Sequence, residues 1–177
     1  MENVHLANII IHATTGSIAL ILGVIALISR KGGKVHIKSG KIFTSLLIVI
    51  IFTALLGVFV FGRNTFLLVI TVLSGYYGFS GYRISLTKSN KPQLADIGFA
   101  MVSLIIVAYF LYYLKNNGMY WSPIIIYSTV GALLMIITYD FARYLIPETI
   151  YKNKSLWLHE HIFKMVGAVT DLLAAFS

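Results

Sequence analysis

Six stretches of about twenty apolar residues, separated by short polar connections, divide this chain almost end to end. A helix rises about 1.5 Å per residue, so crossing about 30 Å of hydrocarbon takes about 20 residues. Inside a bilayer the backbone must satisfy its own hydrogen bonds, and apolar runs of this length do so as helices. The spans read as approximately Ala7–Ser29, Ile42–Phe61, Thr65–Leu86, Ala95–Leu114, Trp121–Leu145 and Leu156–Ser177. The sequence therefore predicts one all-α integral membrane domain over residues 1–177, a polytopic transmembrane bundle with short loops. The first run lacks a basic leader and a cleavage motif, so it reads as a retained span.

Composition agrees. Of 177 residues, 58% are hydrophobic and 11% charged, against about 25% charged in a typical soluble domain. The net charge of +8 does not point to nucleic acid, because the basic residues gather in alternate loops. Arg30, Lys31, Lys34, Lys38 and Lys41 lie in the first. Lys88 and Lys91 lie in the third, after Arg83, and Lys152 and Lys154 in the fifth, after Arg143. The other side carries only Arg63 and Lys115. The positive-inside bias places the odd loops in the cytoplasm and both termini outside. The lysine-rich loops suit anionic lipid headgroups. Tyr120, Trp121 and Trp157 suit the membrane interface. The absence of cysteine excludes disulfides, thiolate ligands and cysteine nucleophiles.

Polar residues within or beside the spans are the candidates for function. "HATTGSI" from His12 and "HIKSGKI" from His36 share His-x-x-x-Gly-x-Ile. Residues four apart share a helix face, so each glycine leaves space beside an imidazole. Such space admits a flat cofactor, and it equally serves close helix packing. Gly16, Gly23, Gly75 and Gly78 are expected against other helices or a bound group. His12 and His36 belong to opposite leaflets, while His5, seven residues before His12, could share its face. "WLHEHIFKMVGAVTD" brings His159, Glu160, His161 and Lys164 to the start of the last span, with Asp171 further along. Asp140 and Arg143, one turn apart, form a candidate internal pair. Charged groups inside apolar spans are costly unless they are paired or wet. His36 and His161 sit at one membrane level and are expected in one cytoplasmic-side cluster. No soluble-enzyme motif is present: "HEH" lacks the spacing of the HExxH zinc helix.

His12 with Gly16, His36 with Gly40 and Phe43, Gly81-Tyr82-Arg83, and His161 with Lys164-Met165 together carry a family resemblance. The chain resembles the DUF2306-like family of bacterial predicted membrane proteins of unknown function. The likeness covers most of the chain. It implies a multi-pass helical protein of the bacterial inner membrane with polar helix ends, and no activity. The last motif departs from that family, reading "HIFKMVG" where His-x-x-Trp-Met-Ile-Arg stands. The layout of histidines on helices also resembles b561-type cytochromes, less closely.

Three readings follow. In the first, His36, His159 and His161, with His12 as a further candidate, ligate haem b or a divalent metal for a redox role, and Arg83 or Lys164 pairs with haem propionates. In the second, Asp140, Arg143, Lys164 and Asp171 line a transport path. In the third, the protein is an accessory or structural subunit of a membrane complex, with a protein partner and no chemistry of its own.

Overall fold

A computed structural model describes residues 2–62, 66–117 and 122–175. Arg63, Thr65, Tyr120, Trp121 and Ser177, to which loop, interface or span-end roles were assigned above, lie outside the described residues. The described chain folds as α1 (Glu2–Ile28), α2 (Lys34–Phe59), α3 (Phe66–Thr87), α4 (Leu94–Asn117) and α5 (Pro123–Ala142). A 3-10 turn (Arg143–Leu145), a short α6 (Glu148–Asn153) and α7 (Leu156–Ala174) follow.

The helix ends follow local chemistry. Gly32 turns the chain at φ +75°, a region open to glycine, and Gly33, extended at φ −73° and ψ 162°, precedes α2. α2 therefore begins at Lys34, not at Ile42 as the apolar pattern suggested, and Lys34, His36, Lys38 and Lys41 lie on its first turns. Charged residues that solvate in a loop solvate equally well on an exposed helix end. Pro123 takes the first turn of α5, where its missing N–H costs nothing. Pro147 forces Ile146 to be extended, at ψ 129°, and ends the fifth helical run. The carbonyls freed there are not orphaned: Asn90, 3% exposed, donates to Arg143 O at 2.9 Å and to Ile146 O at 2.5 Å. α6 lay unnoticed within the fifth loop, which the sequence marked only by its lysines.

Four helical segments are long and apolar enough to cross a membrane: Glu2–Ile28, Lys34–Phe59, Leu94–Asn116 and Pro123–Leu145. α3 and α7 fall short of that measure, which corrects the expectation of six apolar spans. α3 carries tyrosines, serines and Arg83; α7 carries Glu160, Lys164 and Asp171. These two helices pack most extensively on each other, as α1 does on α2. α3 is covered nearly all round, with Leu68, Val69, Leu73, Tyr76 and Ile84 buried. A central helix meets protein instead of lipid, so it needs no apolar exterior.

Glycines set the closest approaches. A Cβ on Gly23 would come within 2.8 Å of Val169, one on Gly75 within 3.1 Å of Ile51, and one on Gly78 within 2.2 Å of Leu47. A Cβ on Gly81 would stand 2.9 Å from Lys164 Cβ. Gly16 is buried as well. The small-residue positions thus face other helices, as the sequence suggested.

Candidate functional site

Two clusters and two pockets gather the polar residues. The first cluster is a sealed ionic network joining α3, α5, the 3-10 turn, α6 and α7. Lys164, 0% exposed, forms a close ion pair with Asp140 Oδ1 and lies 3.9 Å from Glu160 Oε2. Arg143 reaches Glu160 Oε2 at 3.1 Å and Asp140 Oδ1 at 3.4 Å. Tyr76 donates to Asp140 Oδ2 at 2.9 Å, and Tyr139 to Glu160 Oε1 at 3.0 Å. Arg143 also donates to the Tyr151 hydroxyl at 3.4 Å. Two carboxylates face two cations, and every carboxylate oxygen has a partner, which lowers the cost of burying the charge; Arg143 Nε, 3.4 Å from Asp140 Oδ1, is buried without a hydrogen bond. Burial, and then the charge of Glu160, push the Tyr151 hydroxyl above its ordinary range.

The Asp140–Arg143 pair is as expected from one helical turn. Glu160, Tyr76, Tyr139 and Tyr151 were not assigned to it. A four-residue step from Glu160 to Lys164 was the available signal. Asp171 stands apart: its Oδ2 is buried without a hydrogen-bond partner, and it joins no ion pair among the described residues. None of Asp140, Arg143, Glu160, Lys164 or Asp171 lines either pocket.

Arg83 is likewise engaged. It forms a close ion pair with Asp96 Oδ1 and donates to Gln93 Oε1 at 2.6 Å. Asp96, in the first turn of α4, thereby ties α3 to α4. Arg83 and Lys164 are thus committed to protein carboxylates and are not presented to a propionate.

The second cluster contains His36 and His161. Their ring centroids are 6.3 Å apart, with planes at 87°. Each Nδ1 meets a main-chain carbonyl: His36 meets Ala26 O at 2.9 Å, and His161 meets Gly81 O at 2.8 Å. Ala26 O lies in the last turn of α1, where carbonyls lack helical partners, and Lys31 caps the neighbouring Leu27 O at 2.5 Å. A carbonyl only accepts, so each Nδ1 carries its proton and each Nε2 keeps its lone pair when the ring is neutral. Both rings line a pocket of about 370 Å³ at the lysine-rich end of the bundle. Phe43, Met165 and Val169 form part of its apolar wall, and Lys31, Lys41, Lys88 and Trp157 also line it. Lys88 sits 5.0 Å from the Trp157 ring centroid.

His159 does not join them. It is exposed, its Nδ1 lies near Ser155 O at 3.3 Å, and it does not line the pocket. Two residues from His161 on a helix, it points away. His12 lies at the opposite end, where its Nδ1 meets Thr53 Oγ1 at 2.8 Å in a second pocket of about 290 Å³.

Among the described residues no three His, Asp, Glu or Cys side chains gather as a metal-ligand set. A protein-held zinc takes three or four such ligands, so the His36–His161 pair does not fit a bare divalent ion. Haem asks less of a protein, because its four equatorial donors belong to the cofactor and its iron takes axial ligands only, so two imidazoles are as many as it requires. The pocket lies within the usual size range of cofactor sites, about 300–1,000 Å³. No protein-family model, curated protein or solved structure matches this chain.

Proposed function

We propose that this chain is a six-span membrane protein that binds a b-type haem at its lysine-rich end for a redox role. One observation carries the reading: two imidazoles share a largely apolar pocket, each with Nδ1 tied to a main-chain carbonyl and Nε2 left as the ligating nitrogen. His36 and His161 would hold the iron. The carbonyls of Ala26 and Gly81 fix the tautomer and raise ligand basicity. Lys31, Lys41 and Lys88 stand where propionates would need cations, in place of Arg83 and Lys164. Bound haem supplies one-electron transfer.

α3 and α7 cross with the other four helices in this reading, α3 shielded by its neighbours and α7 with its charges on the face that packs against α3. Their 22 and 19 residues correspond to about 33 and 28 Å. The lysine-rich end faces the cytoplasm by the positive-inside bias and attracts anionic headgroups, and both termini lie outside.

The test is a visible-range spectrum of the detergent-purified full chain from haem-supplied cells. A Soret band that shifts on reduction is expected. It should be lost in His36→Ala and His161→Ala and kept in His159→Ala. A folded wild-type protein without that band would sink the reading.

A second reading, an accessory subunit of a membrane complex, draws on the same hydrogen bonds. His36 links α2 to α1 and His161 links α7 to α3, so both rings also serve as helix ties. The spectrum separates the two. The transport reading draws no support from the ionic network, whose charges are spent on one another and line neither pocket.

A further inference from the structure

The second pocket sits at the end of the bundle that holds the start of α1 and the close of α7, and its chemistry is the reverse of the first. It is lined from α1, α2, α3 and α7, and among the described residues no lysine, arginine, aspartate or glutamate contributes to it. Its polar members include His5, Asn8, His12, Thr53 and Ser74. The described lining offers an ionic ligand no counter-charge. Two apolar members, Ile9 and Leu67, are 39% and 40% exposed. They lie on helices α1 and α3, so the pocket communicates with the face that lipid would cover.

Hydrogen-bond accounting fixes what His12 offers. The Thr53 hydroxyl lies 2.9 Å from Val49 O and from Ile50 O, so its proton is directed to a carbonyl. Toward His12 it therefore acts as acceptor, and His12 Nδ1 is the donor at 2.8 Å. Neutral His12 then presents Nε2 as an acceptor. Asn8 donates to Thr53 O at 3.1 Å, which ties α1 to α2 and holds the histidine face in register. His5 is braced by stacking on Phe61, with centroids 4.5 Å apart. Among the described residues, His5 and His12 supply the aromatic walls of the pocket.

We propose that this uncharged pocket binds the ring of a membrane-dissolved quinol, with His12 Nε2 accepting one of its hydroxyls. The required ligand is neutral, apolar in body, soluble in the bilayer, and equipped with an O–H donor. A quinol meets each condition, whereas a phospholipid would bring a charged head to a lining that, among the described residues, has no charge to meet it. Binding stands on the pocket's own geometry. Its use as an electron donor or acceptor rests on the redox reading above.

The experiment uses the full-length protein in detergent and decylubiquinol as probe. Binding is read by the shift in thermal unfolding midpoint and by photolabelling with an azido-quinone mapped by mass spectrometry. Saturable binding is expected, with label on residues 8–13 and 47–57. His12→Leu should weaken it about tenfold, the equivalent of one hydrogen bond, and His12→Gln, which keeps an acceptor, should restore part of the loss. Ala54→Phe, which fills the pocket without touching the His12–Thr53 bond, should abolish binding and guards against a folding defect in the histidine variants. Non-saturable partitioning, label confined to other segments, or equal affinity in Ala54→Phe would overturn the proposal. The Soret band of each sample is recorded alongside. Quinol binding without that band removes only the haem reading, and the band without quinol binding removes only this one.

Discussion

Lys164 is a fully buried ammonium, and its nearness to Asp140 and Glu160 is what lets it remain charged. Replacing it with methionine keeps the volume but leaves two carboxylates facing Arg143 alone. Lys164→Met should cost about 3–5 kcal/mol, read as a lower unfolding midpoint in detergent. Lys164→Met combined with Asp140→Asn should cost less than the two changes summed, because the second removes the charge that the first strands. Glu148 is the contrasting exposed case. Its carboxylate accepts hydrogen bonds from Lys152 and Lys91, which hold it down at about 2 from 4.5. A depressed carboxyl stabilises the fold above its unfolded value and loses that contribution as pH falls through the folded one. The contact between the α3–α4 turn and α6 should therefore be intact above about pH 4.5 and loosen toward pH 2, followed by carboxyl NMR of Glu148 against a Glu148→Gln control. The pairing of His36 with His161 was legible because both sit at one membrane level. The bonds from Arg83 to Asp96 and from Lys164 to Asp140 were not, since these carboxylates lie 13 and 24 residues away and no local spacing announces them. Tyr151 escaped notice for a related reason: a lone tyrosine among loop lysines carries no periodic signal.

Among the elements, α3 carries the sharpest packing constraint. A methyl at Gly81 would press on Lys164 Cβ at 2.9 Å, an atom fixed to its own backbone. At Gly78 the nearer contact, 2.2 Å, is Leu47 Cδ2, the far end of a side chain that can turn aside. Gly81→Ala should thus destabilise by about 1–3 kcal/mol, and Gly78→Ala by less, despite its shorter distance. Denaturation of the two variants side by side checks the order. The helices themselves were legible from apolar runs, because that signal is collective over some twenty residues. Two features were not. The start of α2 was hidden because its first turns bear lysines, and hydropathy cannot tell an exposed helical lysine from a loop lysine. The central position of α3 was hidden because a helix covered by others can carry tyrosine and glycine, and the charges of α7 were misleading because they lie on its one buried face.

At the scale of the whole molecule, α1, α2, α4 and α5 meet the length and hydropathy of spanning helices; α3 lies among its neighbours, and α7 packs on α3 and α1 with Phe163, Val166 and Leu173 left exposed. If all six helices cross, the α1–α2, α3–α4 and α5–α7 connections share one face. Cysteines at Lys34, Lys91 and Asn153, all exposed, should then react with a membrane-impermeant reagent only after the cells are opened. Reaction in intact cells would refute that orientation. Ser39, buried at 5% exposure, is no place for such a label. The ionic network also has a consequence for the order in which the chain is made. Asp140 and Arg143 leave the ribosome before Glu160 and Lys164, so α5 enters the bilayer with its charges half-matched. Only the final helix completes the balance. A chain ending before Leu156 would hold an aspartate and an arginine with half their partners missing, so the buried charges of α5 are matched only once the last helix has docked.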